Sequence, residues 1–204
     1  MGQALIAYEK NYWEQELLVV GLDEAGRGPM AGPCVVAGVV FPLGFYHEEI
    51  NDSKKLSDQK RRDLVSLIKE NALWYDIYVV DIAMIERYNI YQATKLAMEV
   101  LSKKSKAKVA LTDALPIQVS GVKNESIIKG DQKSISIAAA SILAKTYRDD
   151  IMIEYDALYP EYGFKNHKGY ATKAHKEAIL KYGRCPIHRP SFRFKDEDQI
   201  SLDI

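Results

Sequence analysis

The stretch LVVGLDEAGRGPMAGP at residues 18–33 constrains this chain more than any other. An apolar run, Leu18 to Leu22, has the composition of a buried strand, and two adjacent carboxylates, Asp23 and Glu24, stand where that run ends. Gly26, Arg27 and Gly28 then form a turn, and Pro29, Gly32 and Pro33 break the chain before a second apolar run. Neighbouring carboxylates at the end of a core strand repel each other in a partly desolvated place, and a hard divalent cation is the usual compensation. Successive side chains on a strand point to opposite faces, so only one of the pair lies on a given face unless the backbone already turns at Glu24. The glycines expose backbone N–H groups and admit a ligand closely. A strand leaving the core through a polar turn would explain the acidic pair alone; the remainder of the chain decides between the two readings.

A chain of 204 residues with 47% hydrophobic content can bury a full core and suits one domain, 1–204, in which about residues 146–204 form a helical C-terminal part. Cys34 and Cys185 make no metal-type spacing, and Cys34 lies in an apolar run, which points to a reducing setting. The start, MGQALIAYEK, lacks the basic and apolar regions of a secretory signal, and Val35 to Phe41 is too short to span a bilayer. A cytoplasmic protein, probing no membrane and acting as a monomer, is the expectation. Formal net charge is zero, but from Phe164 to Lys195 there are nine Lys or Arg residues and three His against one acid, Glu177. Aromatic residues interleave this block (Phe164, Tyr170, Tyr182, Phe192, Phe194), which suits a polyanionic partner.

The spacing predicts a short helix over 3–14, strands over 17–22, 34–41 and 73–80, and a helix opened by Ser57 as N-cap with Leu64, Leu67, Ile68 and Ala72 on its apolar face. A short helix over 81–89 precedes a longer one over 90–103 that buries Ala93, Leu96, Ala97, Val100 and Leu101. Val109 to Leu111 is a short strand with Asp113 just beyond it, and 126–128 is another. Asp131 precedes a long helix with an unusually small face, Ala138, Ala139, Ala140, Ser141 and Ala144, followed by a stripe of Tyr147, Ile151, Tyr155 and Leu158. A last helix over 171–182 stops at Gly183. The fold class is α/β: a mixed sheet flanked by helices, with further helices at the C-terminus.

Asp23, Glu24, Asp113 and Asp131 thus stand at strand ends or just before a helix. Metal-assisted phosphodiester hydrolysis needs such a cluster, with two ions roughly 4 Å apart. Oxygen ligands favour Mg²⁺ over zinc. Spacing alone does not select these four from 28 acidic residues.

The chain resembles type 2 ribonuclease H, ribonuclease HII, over nearly its whole length. The resemblance is carried in order by GLDEAGRGPMAGP at 21–33, NDSKKLS at 51–57, YNIYQATKLAM at 88–98, KGDQKSISIAAASILAKTYRD at 129–149, HKGYATKAH at 167–175 and PIHRPSF at 186–192. It implies a ribonuclease H-like mixed five-stranded sheet with a C-terminal helical, substrate-binding segment. It implies hydrolysis of the RNA strand of RNA–DNA hybrids, and cuts on the 5′ side of single ribonucleotides in duplex DNA that leave 3′-hydroxyl and 5′-phosphate ends. Matched by motif, Asp23, Glu24, Asp113 and Asp131 would hold two Mg²⁺ or Mn²⁺ ions. Gly26, Arg27 and Gly28 would sense the ribose 2′-hydroxyl, the group that distinguishes RNA from DNA, and Tyr170 would stack at the RNA–DNA junction. Lys54 and Lys55 are read as phosphate contacts. Ser134, Arg189 and Ser191 are weaker substrate-binding candidates: Ser134 also suits a helix cap, and Arg189 and Ser191 could pin the C-terminal segment. Lys145 reads as surface, His188 as structural, and Asp149, beside Arg148, as half of a salt bridge. Many members have glycine where Ala114 follows the third carboxylate, which narrows the backbone choices there. A DNA-cutting nuclease or recombinase on the same fold, or an inactive nucleic-acid binder, are the alternatives.

Overall fold

A computed structural model of the chain describes residues 5–51, 56–195 and 197. Five strands, β1 (Val19–Ala25), β2 (Cys34–Val40), β3 (Trp74–Val80), β4 (Val109–Asp113) and β5 (Lys123–Ile127), form one sheet in the order β3-β2-β1-β4-β5. The three strands β1 to β3 pair antiparallel, whereas β4 is parallel to both β1 and β5. The helices are α1 (Ala7–Trp13), α2 (Asp58–Asn71), α3 (Ile82–Ser105), α4 (Ile135–Leu158), α5 (Phe164–His167) and α6 (Lys173–Tyr182). The expected mixed five-stranded sheet flanked by helices is what forms.

The sheet buries both faces. Val19, Val35, Ala37, Val39, Val109 and Leu111 pack toward α4 and α2, while Val20, Leu22, Val36, Ala110 and their neighbours pack toward α3. That is period-two alternation with apolar groups on both sides, so the strands read as continuous apolar runs. The small face of α4 has a direct structural use. A Cβ added at Gly21 of β1 would lie 2.1 Å from the backbone carbon of Ser136, so strand and helix backbones meet here with no side chain between them. Ala138, Ala139, Ala140 and Ala144 continue this close seam, all fully buried.

Capping fixes the helix starts. Ser57 accepts from the Lys60 amide (3.2 Å) as expected, and Asp81, Ser134 and Thr172 cap α3, α4 and α6 in the same way. The two helices anticipated over 81–89 and 90–103 form as the two halves of α3, separated at Asn89, whose backbone (φ 59, ψ 161) is non-helical. The Asn89 side chain accepts from the Gln92 amide at 3.0 Å, which caps the second half.

Several boundaries differ from the sequence reading. Strand β1 does not stop at Leu22: Asp23, Glu24 and Ala25 remain paired with Ala37, Val36 and Val35, because the neighbouring β2 continues past them. Asp113 likewise is the last paired residue of β4, not one beyond it. Leu96 and Val100 face solvent, and Thr94 and Met98 take the inner positions. The stripe along the second half of α4 is only half buried, at Ile151 and Tyr155, since both its ends, Tyr147 and Leu158, are exposed. Among the described residues no helix is long and apolar enough to cross a membrane.

The C-terminal segment packs as a small cap on the end of the sheet. Met30, Ala31, Met152, Tyr162, Phe164, Ile179 and Ile187 form its own apolar cluster. Backbone bonds from Met30 to Gly169 (2.9 Å) and from Gly32 to Ile187 (2.8 Å) stitch it to the loop after β1.

Candidate active site

The parallel pairing of β1 with β4 builds the centre. Leu22 is opposite Thr112, so the next residues, Asp23 and Asp113, end adjacent strands in register and on the same face, that of α4. Neighbouring strands run about 4.8 Å apart, which brings the two carboxylates side by side. Glu24 belongs to the other face by alternation, but the pairing of β1 with β4 has ended before it and it lines the same cleft. That cleft, about 290 Å³, is bounded by Asp23, Glu24, Asp113, the 25–28 turn, Ser141, Lys145, Arg148 and Tyr170.

Its electrostatics are repulsive. Asp23 is 5% exposed, and burial pushes its carboxyl well above the usual range, with the charges of Glu24 and Asp113 adding to the effect. Ser141 and the Glu24 amide (2.8 Å) donate to it and oppose the rise only in part. Glu24 takes a 3.2 Å contact from Arg27. Asp113 accepts from the Gly130 amide at 2.8 Å. Asp131 follows in the 3₁₀ turn Gly130–Gln132, 1% exposed; it is beside Asp113 through Gly130 but does not line the cleft. Asp23, Glu24 and Asp113 thus line one hollow, and Asp131 follows Gly130, the residue whose amide is held by Asp113. Ala114, directly after Asp113, adopts φ 54, a left-handed conformation that glycine would enter more easily.

Opposite the carboxylates lies the turn. Gly26 has φ +97, and a Cβ there would lie 2.0 Å from Arg148 Nε, so glycine is required twice over. A Cβ on Gly28 would sit 3.7 Å from the Tyr170 ring, which places the turn and that half-exposed ring across a narrow slot. The Tyr170 carbonyl accepts from His175 Nδ1 (2.9 Å), and His175 Nε2 lies 3.0 Å from His188 Nε2.

Other expected contacts resolve differently. Ser134 is fully buried, capping Ile137 and donating to the buried Glu9, so it presents no surface to a substrate. Arg189 is also fully buried, and its guanidinium donates to the carbonyls of Gly26, Arg27 and Gly32. It braces the turn from beneath and cannot reach a ligand there. Ser191 is exposed and donates to Glu86 at 2.8 Å. Lys54 and Lys55 lie outside the described residues. His188 is buried among Tyr162, Phe164, His175 and Cys185, a structural place. Asp149 does form ion pairs, with Lys145 and Arg61 and not with its neighbour Arg148.

Sequence reasoning passed over Ser141, Lys145 and Arg148 as cleft residues. Their spacing of three and four along α4 puts them on one helical face, and that periodicity from Ser141 was the available signal. Lys145 is partly buried there, and desolvation holds its ammonium below its ordinary value despite Asp149.

Oxygen donors crowded together with a carboxyl forced toward its neutral form suit a hard divalent cation in their chemistry. Among the described residues, however, no three acidic, histidine or cysteine side chains stand close enough to close round an ion as they are.

A five-stranded mixed sheet of this order, with helices on both faces and acids ending the adjacent parallel strands, is a ribonuclease H-like α/β fold. The solved ribonuclease HII of Archaeoglobus fulgidus, determined in a complex with PCNA, superposes with a TM-score of 0.73 at 25% identity, covering 84% of this chain and 92% of that one. A ribonuclease HIII described as Bst-RNase HIII in complex with Mn²⁺ superposes at 0.68 with 17% identity, covering 91% and 70%. The family model for ribonuclease HII matches residues 20–195. A ribonuclease HII of Acholeplasma laidlawii is 52% identical over 92% of this chain and 93% of its own length. The chain belongs to the ribonuclease HII family and is a metal-dependent endoribonuclease.

Proposed function

We propose that the protein hydrolyses the RNA strand of RNA–DNA hybrids and cuts on the 5′ side of single ribonucleotides embedded in duplex DNA, leaving 3′-hydroxyl and 5′-phosphate ends. The observation that carries this reading is the in-register pair Asp23 and Asp113, facing the Gly26–Gly28 turn and Tyr170 across one cleft. Acids on one side suit cations and a phosphate; a glycine turn and an aromatic ring on the other suit a sugar and a base.

Asp23, Glu24, Asp113 and Asp131 would hold divalent ions, Mg²⁺ or Mn²⁺. Two such ions, when bound, supply an activated water and stabilise the leaving oxygen. The chain's own residues do the rest. Ser141 orients Asp23 by its hydrogen bond. The Gly26–Gly28 turn reads the 2′-hydroxyl, and Tyr170 stacks on the sugar or base at the junction. Lys54, Lys55 and the basic block Phe164–Lys195 hold the phosphate backbone, with about residues 146–204 as a substrate-binding part of a single domain. Affinity should then fall steeply with salt. We place this activity in the cytoplasm, in a monomer.

The deciding assay uses duplex DNA with one ribonucleotide, incubated with Mg²⁺, Mn²⁺ or a chelator, with the cut mapped to the nucleotide. A single cut 5′ of the ribonucleotide that the chelator abolishes is the expected result. Equal cutting of the all-DNA duplex would overturn the substrate assignment, and binding without any cut would overturn the enzymatic one.

A further inference from the structure

Two guanidiniums lie beneath the turn, Arg148 at 2% and Arg189 at 0% exposure. Among the described residues, every hydrogen bond of either goes to a backbone carbonyl. Arg189 donates to Gly26 (2.6 Å), Arg27 (3.0 Å) and Gly32 (2.8 Å). Arg148 donates to Pro33 (3.0 Å), Ala31 (3.2 Å) and Lys168 (3.0 Å). Burying two like charges this close is unfavourable: desolvation lowers both from their ordinary value, Arg189 to about 10 with Arg148 as a further cause. Apolar side chains of similar volume often fill such space at no loss of stability. What they cannot do is fix the direction of peptide planes.

Here that direction matters. In a trans peptide the C=O and the N–H of the same plane point opposite ways, and the described chain has no cis bond. The plane that carries the Gly26 carbonyl also carries the Arg27 N–H, and the plane of the Arg27 carbonyl carries the Gly28 N–H. With both carbonyls drawn down to Arg189, both N–H groups face away from it. Among the described residues neither has an acceptor. Arg148 meanwhile ties the loop after the turn to Lys168, two residues before Tyr170, which sets the width of the slot between Gly28 and that ring.

We infer that Arg148 and Arg189 are positioning residues for ribose selectivity: they lock the turn so that the Arg27 and Gly28 amides stand outward as paired donors at a fixed distance from Tyr170. The inference rests on the reading of the turn as the ribose sensor. Both guanidiniums spend their donors on backbone carbonyls and act through the peptide planes they hold.

The test compares Arg189→Lys, Arg189→Met, Arg148→Lys and Gly28→Ala with the wild type. The readout is the ratio of affinities for a duplex with one ribonucleotide and the all-DNA duplex of the same sequence, measured in chelator, beside kcat, KM and melting temperature. Lysine keeps the charge but loses the fork, so Arg189→Lys should be no better than Arg189→Met. The affinity ratio should fall about tenfold, the worth of one well-placed hydrogen bond. On the ribonucleotide substrate kcat should fall on the order of a hundredfold, with KM changing far less, as misplacement of a reacting group predicts. A wild-type ratio in folded lysine variants, or failure of both lysine variants to fold, would reduce the arginines to structural props and overturn the inference. Gly28→Ala separates the two claims. Its Cβ fits beside Tyr170 in ordinary contact, so it should fold and yet lose the ratio. If it keeps the ratio, the ribose-sensor reading itself fails; if it alone loses the ratio, only the arginine inference does.

Discussion

Two regions of this molecule bury charge, and they do it in opposite ways. At the end of β1 and β4, acids of like sign are left crowded, with Asp23 pushed toward its neutral form. In the C-terminal cap, by contrast, Arg148 and Arg189 spend their donors on carbonyls, and the histidines beside them are joined into one chain of neutral rings. The acidic end keeps like charges close together; the basic end has its donors met by backbone carbonyls.

The strongest way to break the comparison is to neutralise one acid. Asp113→Asn should lower cleavage by at least about a thousandfold, the equivalent of roughly 4 kcal/mol in the barrier. Its Oδ1 can still accept from Gly130, so hybrid binding should persist. With chelator present the variant should melt no lower than the wild type, because a repulsion has been removed. Full activity in Mg²⁺ would contradict the ligand assignment.

In the cap the opposite holds: removal leaves a vacancy. The hydrogen bonds define one arrangement of protons. The Tyr170 carbonyl requires N–H at His175 Nδ1, so Nε2 of His175 accepts from His188, whose Nδ1 then accepts from the Cys185 amide at 2.9 Å. His188→Leu strands two buried partners and should cost about 2–4 kcal/mol in denaturant melts. The same chain sets a pH dependence. Burial lowers both rings to about 4 from 6.5, with Tyr170 or Cys185 carbonyls opposing and the charges of His167 and Arg184 assisting. Glu197 is the one acid acting on His188 in the other direction. Being harder to protonate folded than unfolded, the pair contributes its stability fully above about 6.5 and loses it as pH falls through about 4. A stability profile followed by tryptophan fluorescence or calorimetry should show that loss, and His188→Leu should flatten it.

Divalent ions should act only on the acidic end. Mg²⁺ or Mn²⁺ at about a hundred times its dissociation constant should add roughly 2.7 kcal/mol to stability, seen as a rise in melting temperature that Asp113→Asn abolishes. An equal rise in that variant would place the ion elsewhere. The smallest effect is expected at Ala114. Glycine there relieves a left-handed alanine but frees the unfolded chain, so Ala114→Gly should shift stability by less than about 1 kcal/mol. Its cutting rate should be unchanged, and a large loss would mean that the alanine itself shapes the position of Asp113.

The sheet, its helices and the acids at its end were legible because they are written in periodicity, capping and motif. Ser57 marked a boundary through a side chain that caps a helix, and Gly183 through the lack of one. The end of β1 was not legible: charged residues argue for leaving a sheet, and only the partner strand keeps Asp23 and Glu24 paired. Leu96 and Val100 misled because an apolar residue does not announce whether the space beside it is filled. Arg148 and Arg189 were least legible of all. Arg148 was noted only as a neighbour of Asp149 and Arg189 only as a substrate contact or a pin for the C-terminal segment, and nothing local says that their partners are carbonyls 115 and 163 positions away. Motif matching put Asp131 in the expected ligand set, and its place beside Asp113 depends on the turn after β5.

The contact at Gly21 has one more consequence. With bare backbone against bare backbone, the seam between β1 and α4 holds no compressible cushion, and a tightly packed interior transmits displacement without absorbing it. A slide of the helix, however caused, would reach Asp23 undiminished through Ser141. The precision of the cleft is thus set two residues back along β1 from Asp23, by the one residue type that leaves nothing in between.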